Sequence, residues 1–176
     1  PQTGCPIPPD MIGFRQTARG CLVSLPLEAG EQIYGLGLQL RGFNHTGQKK
    51  TLRVNSDPIA NTGDSHAPVP FYVSTRGYGV LIDTLRYASF YFSSHTPLGA
   101  AGQQVDETPN VLATETENLY AGRPQVGARA VIDIPAARGD DVYVFSGPTM
   151  CDAVRRYVLF SGGGCIPALW GLGGWY

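Results

Sequence analysis

Phe71-Tyr72-Val73-Ser74-Thr75-Arg76-Gly77-Tyr78-Gly79-Val80-Leu81-Ile82-Asp83-Thr84 decides the fold class. Two runs rich in aromatic and β-branched residues flank Arg76-Gly77, and together they read as a β-hairpin. Upstream, residues 20–27 read as a strand in which Cys21, Val23 and Leu25 alternate with Leu22, Ser24 and Pro26. Residues 28–31 form a turn, and residues 32–40 read as a further strand region carrying Ile33, Tyr34, Leu36, Leu38 and Leu40. Gly35 and Gly37 inside that region mark a bulge or a close backbone approach. Residues 51–55 read as a short strand.

Downstream, residues 87–93 are aromatic-rich and strand-like, and residues 111–120 read as another strand. Ala128, Ala130, Ile132 and Ile134 alternate with Arg129, Val131 and Asp133, and Val142-Tyr143-Val144-Phe145 forms a last β-rich run. Several short strands with turn signals between them predict an all-β sandwich or barrel. The pattern switches once. Thr149 can cap a helix reaching about Phe160, with Val154, Tyr157 and Val158 as its apolar face. Ser161-Gly162-Gly163-Gly164 ends it. Residues 165–176 are then apolar and strand-like, with no turn, cap or polar tail, and read as the start of a following domain.

Composition supports this and excludes other classes. The 176 residues are 43% hydrophobic and 15% charged, enough apolar content for a core and too much for disorder. Gly 23 and Pro 14 suit many turns. Net charge is -1 with no basic stripe, which argues against nucleic acid as a partner. No apolar run approaches the length of a membrane span, and the first residues lack the pattern of a signal peptide. Cys5, Cys21, Cys151 and Cys165 have no metal-like spacing, although Cys5 and Cys21 could bridge in an exported chain. Asn44-His45-Thr46 is a glycosylation sequon on paper. His45 and His95 read as surface residues without ligand-spaced partners, so no metal or cofactor is assigned.

Four segments, in order, resemble glycoside hydrolase family 31. They are Glu31-Gln32-Ile33-Tyr34-Gly35-Leu36-Gly37; Asn55-Ser56-Asp57 with the loop to Val69-Pro70-Phe71-Tyr72-Val73-Ser74; and Gly77-Tyr78-Gly79-Val80-Leu81-Ile82-Asp83-Thr84. The fourth runs from Gly147-Pro148-Thr149 through Arg155-Arg156-Tyr157 to Ile166-Pro167-Ala168-Leu169-Trp170-Gly171-Leu172-Gly173. Gln39 stands where many members carry Glu, and Ala168 stands at a prolyl position. Residues 1–20 and 98–125 carry no resemblance.

The resemblance implies a galactose-mutarotase-like β-sandwich over residues 1–147, then a connecting helix and Gly-rich linker over 148–164. It implies that residues 165–176 are the first strand of a (β/α)8 catalytic barrel, which would be this domain's own partner. Family members are retaining α-glycosidases of the α-glucosidase, α-xylosidase or α-galactosidase type. Both of their catalytic aspartates lie in the barrel, so no nucleophile and no acid/base is expected here.

The sandwich would instead offer a substrate contact. Residues 56–67 form a polar loop of about a dozen residues, a length that is often functional. Asp57 matches the family's carboxylate that meets sugar hydroxyls, and a carboxylate accepts charge-assisted hydrogen bonds from a hydroxyl pair. Asp57 before Pro58 also suits a plain turn. Asp64 and His66 follow on the same loop as further candidate carbohydrate-binding residues. Trp170 and Trp175 are expected to pack in the barrel strand, and Tyr34, Tyr72, Tyr78 and Tyr91 between sheets. A non-catalytic carbohydrate-binding β-sandwich module is the alternative, and it leaves the C-terminal helix and apolar strand without a purpose. A stand-alone aldose mutarotase would need a converging His and carboxylate that the loop-borne histidines do not suggest. Localisation stays open between cytoplasm and export.

Overall fold

In the computed structural model, which describes residues 6–92 and 128–164, the expected hairpin lies at the centre of an antiparallel sheet. After a 3-10 turn at Pro9–Met11 the strands run β1 (Gly13–Thr17), β2 (Gly20–Pro26), β3 (Ile33–Gly37), β4 (Lys49–Thr51), β5 (Arg53–Val54) and β6 (Asp64–Ser65). They continue as β7 (Pro68–Ser74), β8 (Tyr78–Asp83), β9 (Ser89–Phe92), β10 (Arg129–Pro135) and β11 (Asp141–Ser146), followed by helix α1 (Met150–Phe160). One sheet has five strands in the order β1-β2-β10-β9-β4, and the other has four in the order β11-β8-β7-β3. The short pair β5-β6 is parallel and stands apart from both.

The β7–β8 hairpin explains the layering. In register, Tyr72 faces Val80 and Ser74 faces Tyr78, while Phe71 faces Leu81 and Val73 faces Gly79. Side chains alternate across a strand, so the two sets line opposite faces. Tyr72, Tyr78, Val80 and Ile82 join the main core with Cys21, Val23 and Leu25 of β2, Phe90 and Phe92 of β9, and Ile132 and Ile134 of β10. Phe71, Val73 and Leu81 face the other way and are covered by α1 through Met150, Ala153, Val154 and Tyr157. Phe71 and Tyr157 stack with ring centres 3.9 Å apart and planes 8° from parallel. A hairpin that is apolar on both faces belongs in the middle layer, and both covers are present.

Helix α1 begins as the sequence predicts. Thr149 Oγ1 accepts from the Asp152 backbone N–H, and the Asp152 carboxylate accepts from the Thr149 N–H, a capping box. Its buried stripe differs from the expected one: Val158 is exposed, and Met150 and Ala153 take its place beside Val154 and Tyr157. The tyrosines also divide. Tyr72 and Tyr78 pack between the sheets, Tyr34 packs under the helix, and Tyr91 lies half-buried beneath Lys49.

β3 is shorter than the strand expected over 32–40. Its pairing with β7 shifts register between Gly35 and Gly37. Gly35 has φ 116° and lies so close to β7 that a Cβ there would be 2.7 Å from the Phe71 carbonyl oxygen. The bulge turns Leu36 into the core at φ 64° and ends the ladder, leaving Leu38 and Leu40 in solvent. β1 was not expected: Gly-Phe-Arg-Gln-Thr is a largely exposed edge strand with no alternation to read. The strand expected over 111–120, the barrel strand over 165–176, His95, Cys5 and Cys165 lie outside the described residues. Cys21 is buried, and among the described residues no helix is long and apolar enough to cross a membrane.

One buried carboxylate ties the start of β3 to the hairpin. Glu31, 6% exposed, accepts hydrogen bonds from Ser74 Oγ at 2.5 Å, from the Tyr78 hydroxyl and from the Glu28 backbone N–H at 2.8 Å. Burial and the bond to Glu31 hold the Tyr78 phenol neutral far above its ordinary range. Glu31→Ala strands two buried donors, so it is expected to lower unfolding stability by about 3 kcal/mol, and Glu31→Gln by less, since the amide keeps one acceptor. Denaturant melts of the variants check this, and an unchanged midpoint for Glu31→Ala would contradict the assignment.

Candidate functional site

Residues 53–66 leave the sandwich as a loop whose two limbs are strapped together. The outgoing limb is β5 and the returning limb β6, paired Arg53 to Asp64 and Val54 to Ser65. The Asn55 N–H extends the pairing by donating to the Ser65 carbonyl at 2.9 Å. Arg53 Nη2 meets the Asp64 carboxylate at 2.6 Å, and Asn55 Nδ2 donates to the same oxygen at 3.3 Å. Those bonds hold the Asp64 carboxyl below the usual carboxylate range, Arg53 contributing most. His66 Nε2 lies 2.8 Å from the Ser56 carbonyl oxygen, and a ring N–H there closes the base of the loop.

The tip follows from its own sequence. The Asp57 N–H donates to Asn55 Oδ1 at 3.0 Å, the local turn that asparagine favours. The returning limb then presses on β4. The Thr51 N–H donates to the Thr62 carbonyl at 2.7 Å. Gly63, at φ 111°, passes so near that a Cβ would lie 2.6 Å from the Thr51 backbone N and O. Only glycine fits that approach.

The three expected contact residues therefore share one loop but hold different posts. Asp57 is exposed, and among the described residues nothing bonds its carboxylate. Asp64 and His66 are engaged within the loop itself. Val54 and Ile59 on the same loop are both largely exposed. Among the described residues no His, Cys, Asp or Glu side chains group to hold a metal ion.

Two buried polar residues are not marked by the sequence. His45, expected at the surface, is buried at 1% exposure, and its Nε2 lies 3.0 Å from the Gly35 carbonyl oxygen at the β3 bulge. Its other ring nitrogen is buried and, among the described residues, has no hydrogen-bond partner. Lys50 is wholly buried, and its ammonium donates to Asn61. No periodicity marks either one, because each is a polar residue in a short polar stretch.

Residues 15–90 match the model of the glycosyl hydrolase 31 N-terminal galactose mutarotase-like domain. Over these residues the chain is similar to that family 31 N-terminal domain. Among curated relatives, an α-xylosidase, XylQ, from Lactiplantibacillus pentosus is 27% identical over 86% of this chain and 16% of its own length. An α-xylosidase from Emericella nidulans is 36% identical over 35% of this chain and 8% of its own length. Among solved structures, the cycloalternan-degrading enzyme of Trueperella pyogenes in complex with cycloalternan superposes with TM-score 0.62 and 16% identity, over 95% of this chain and 20% of that one. A Flavobacterium johnsoniae dextranase complexed with glucose superposes with TM-score 0.56 and 18% identity, over 84% of this chain and 14% of that one. These structural likenesses establish the fold. The chain spans only about a sixth of the length of the first curated relative. The stretch matched to the family 31 domain contains the whole of the strapped loop, together with His45 and Lys50.

The buried imidazole makes folding stability pH-dependent. Burial, reinforced by the Lys50 charge, lowers the His45 pKa from 6.5, against the opposing bond to Gly35. The unfolded chain takes up its proton near 6.5 and the folded chain only at lower pH, so stability falls as pH drops below about 6.5. His45→Gln is expected to flatten that slope between about pH 6.5 and 5 in denaturant titrations. An unaltered slope would place the proton uptake elsewhere.

Proposed function

We propose that the protein containing this domain is a retaining α-glycoside hydrolase acting on α-linked sugars at non-reducing ends. In this reading the sandwich buttresses a catalytic barrel beginning at residues 165–176, and the barrel supplies both catalytic carboxylates. The domain itself contributes one substrate contact, Asp57. The observation that carries this is the division of labour in the loop. Arg53–Asp64 and Ser56–His66 hold its base, while the Asp57 carboxylate at its tip is exposed and, among the described residues, unbonded. A carboxylate held so can accept two hydroxyl hydrogens of one sugar. Asp64 and His66 act through the loop's shape. The α-xylosidase names of the curated relatives make an α-xyloside the first substrate to try.

Aryl α-xyloside, α-glucoside and α-galactoside, assayed on the full-length enzyme, test the activity. Asp57→Ala is expected to lower kcat/KM by about tenfold to a hundredfold, because a charged hydrogen-bond acceptor to substrate is lost. Asp64→Ala is expected to do less, through a looser loop. Wild-type kinetics for Asp57→Ala would refute the contact, and silence on every α-glycoside, with sugar binding retained, would favour a non-catalytic binding module.

A further inference from the structure

Lys50 occupies the middle of β4, the edge strand of the five-stranded sheet, opposite Phe90 of β9. Its side chain is 0% exposed. The ammonium donates to the side-chain oxygen of Asn61 and, at 3.4 Å, to the Asn61 backbone carbonyl. Among the described residues it forms no ion pair with a carboxylate. Burial lowers its pKa below the ordinary lysine range. A buried ammonium facing one neutral residue is an expensive way to fill space, and an aliphatic side chain would do that better. What the ammonium does accomplish is to grip the loop. Residues 57–60 run between two fixed points: Ser56, held by His66, and Asn61, held by Lys50. Next to Asn61, the Thr62 carbonyl and Gly63 lie against the Thr51 backbone, so the grip lands where the returning limb meets the sheet.

We infer that Lys50 is a positioning residue for substrate binding: by anchoring Asn61 it fixes the loop in the shape that presents the Asp57 carboxylate to sugar. The inference rests on the sugar contact proposed above. Lys50 touches no substrate, and its effect reaches the sugar only through Asp57.

The test is made in the full-length enzyme on its best aryl α-glycoside. Lys50→Met and Asn61→Ala are measured alone and in an Asp57→Ala background, with kcat, KM and unfolding temperature for each. Met keeps the length and apolar stem of Lys50 without its charge. Asn61 is exposed, so its truncation leaves the core intact should Lys50→Met fail to fold. Each single variant is expected to raise KM about fivefold or more with kcat within about twofold, and to add nothing once Asp57 is Ala. A raised KM for Asp57→Ala beside wild-type KM for Lys50→Met and Asn61→Ala would overturn the positioning role alone. Equal KM effects with and without Asp57 would also overturn it, since the lysine would then act on the domain at large. Wild-type kcat and KM for Asp57→Ala would overturn the sugar contact and the positioning role together.

Discussion

Phe71 and Tyr72 are neighbours on β7, yet they belong to different layers. Tyr72 enters the core between the sheets, where it meets Phe92 edge-on with ring centres 5.1 Å apart. Phe71 lies on the opposite face, stacked on Tyr157 of α1. The hairpin that carries them must be covered on both sides, which calls for a second sheet on one face and a helix on the other. Glu31 locks this middle layer to β3 by joining Ser74 of β7 and Tyr78 of β8. The β3 bulge then turns the chain away from the sheet toward His45, β4 and the strapped loop. A surface loop thus inherits its position from core packing.

That inheritance is electrostatic as well as steric. The loop base is held by one ion pair, one histidine contact and one buried ammonium, all spent on the chain itself. Among the described residues nothing bonds the Asp57 carboxylate at the tip. Preorganisation of this kind reduces the ordering entropy that a mobile loop would lose on meeting a ligand. The Lys50 ammonium beneath the loop is costly to bury, and its bonds to Asn61 offset that cost only while loop and sheet stay together.

Much of the fold is legible in the sequence, because periodicity reports burial. Cys21, Val23 and Leu25, the hairpin, and the Ala130-Ile132-Ile134 alternation all fall in the core, and Thr149 caps its helix. The failures have physical causes. β1 buries too little to show a pattern. Leu38 and Leu40 keep the rhythm of a strand after three consecutive residues at positive φ have ended it. Val158 fits a helical spacing, but the stripe is centred on Ala153, whose small side chain lets the helix approach the sheet. In the site, the loop and its three candidates can be read from composition and resemblance. The separation of Asp57 from Asp64 and His66 cannot, since it depends on which limb each residue occupies. Lys50 and His45 are hidden for a related reason: polar residues announce surface, and only tertiary packing buries them.

In the function proposed above, the domain places the Asp57 carboxylate against substrate. A crystal structure of the full-length enzyme with an α-glycoside bound tests it most directly. An Asp57 carboxylate oxygen is expected within about 3 Å of a sugar hydroxyl, with residues 53–66 strapped as they are here. A sugar seated in the site while Asp57 points to solvent, beyond hydrogen-bonding reach, would contradict it.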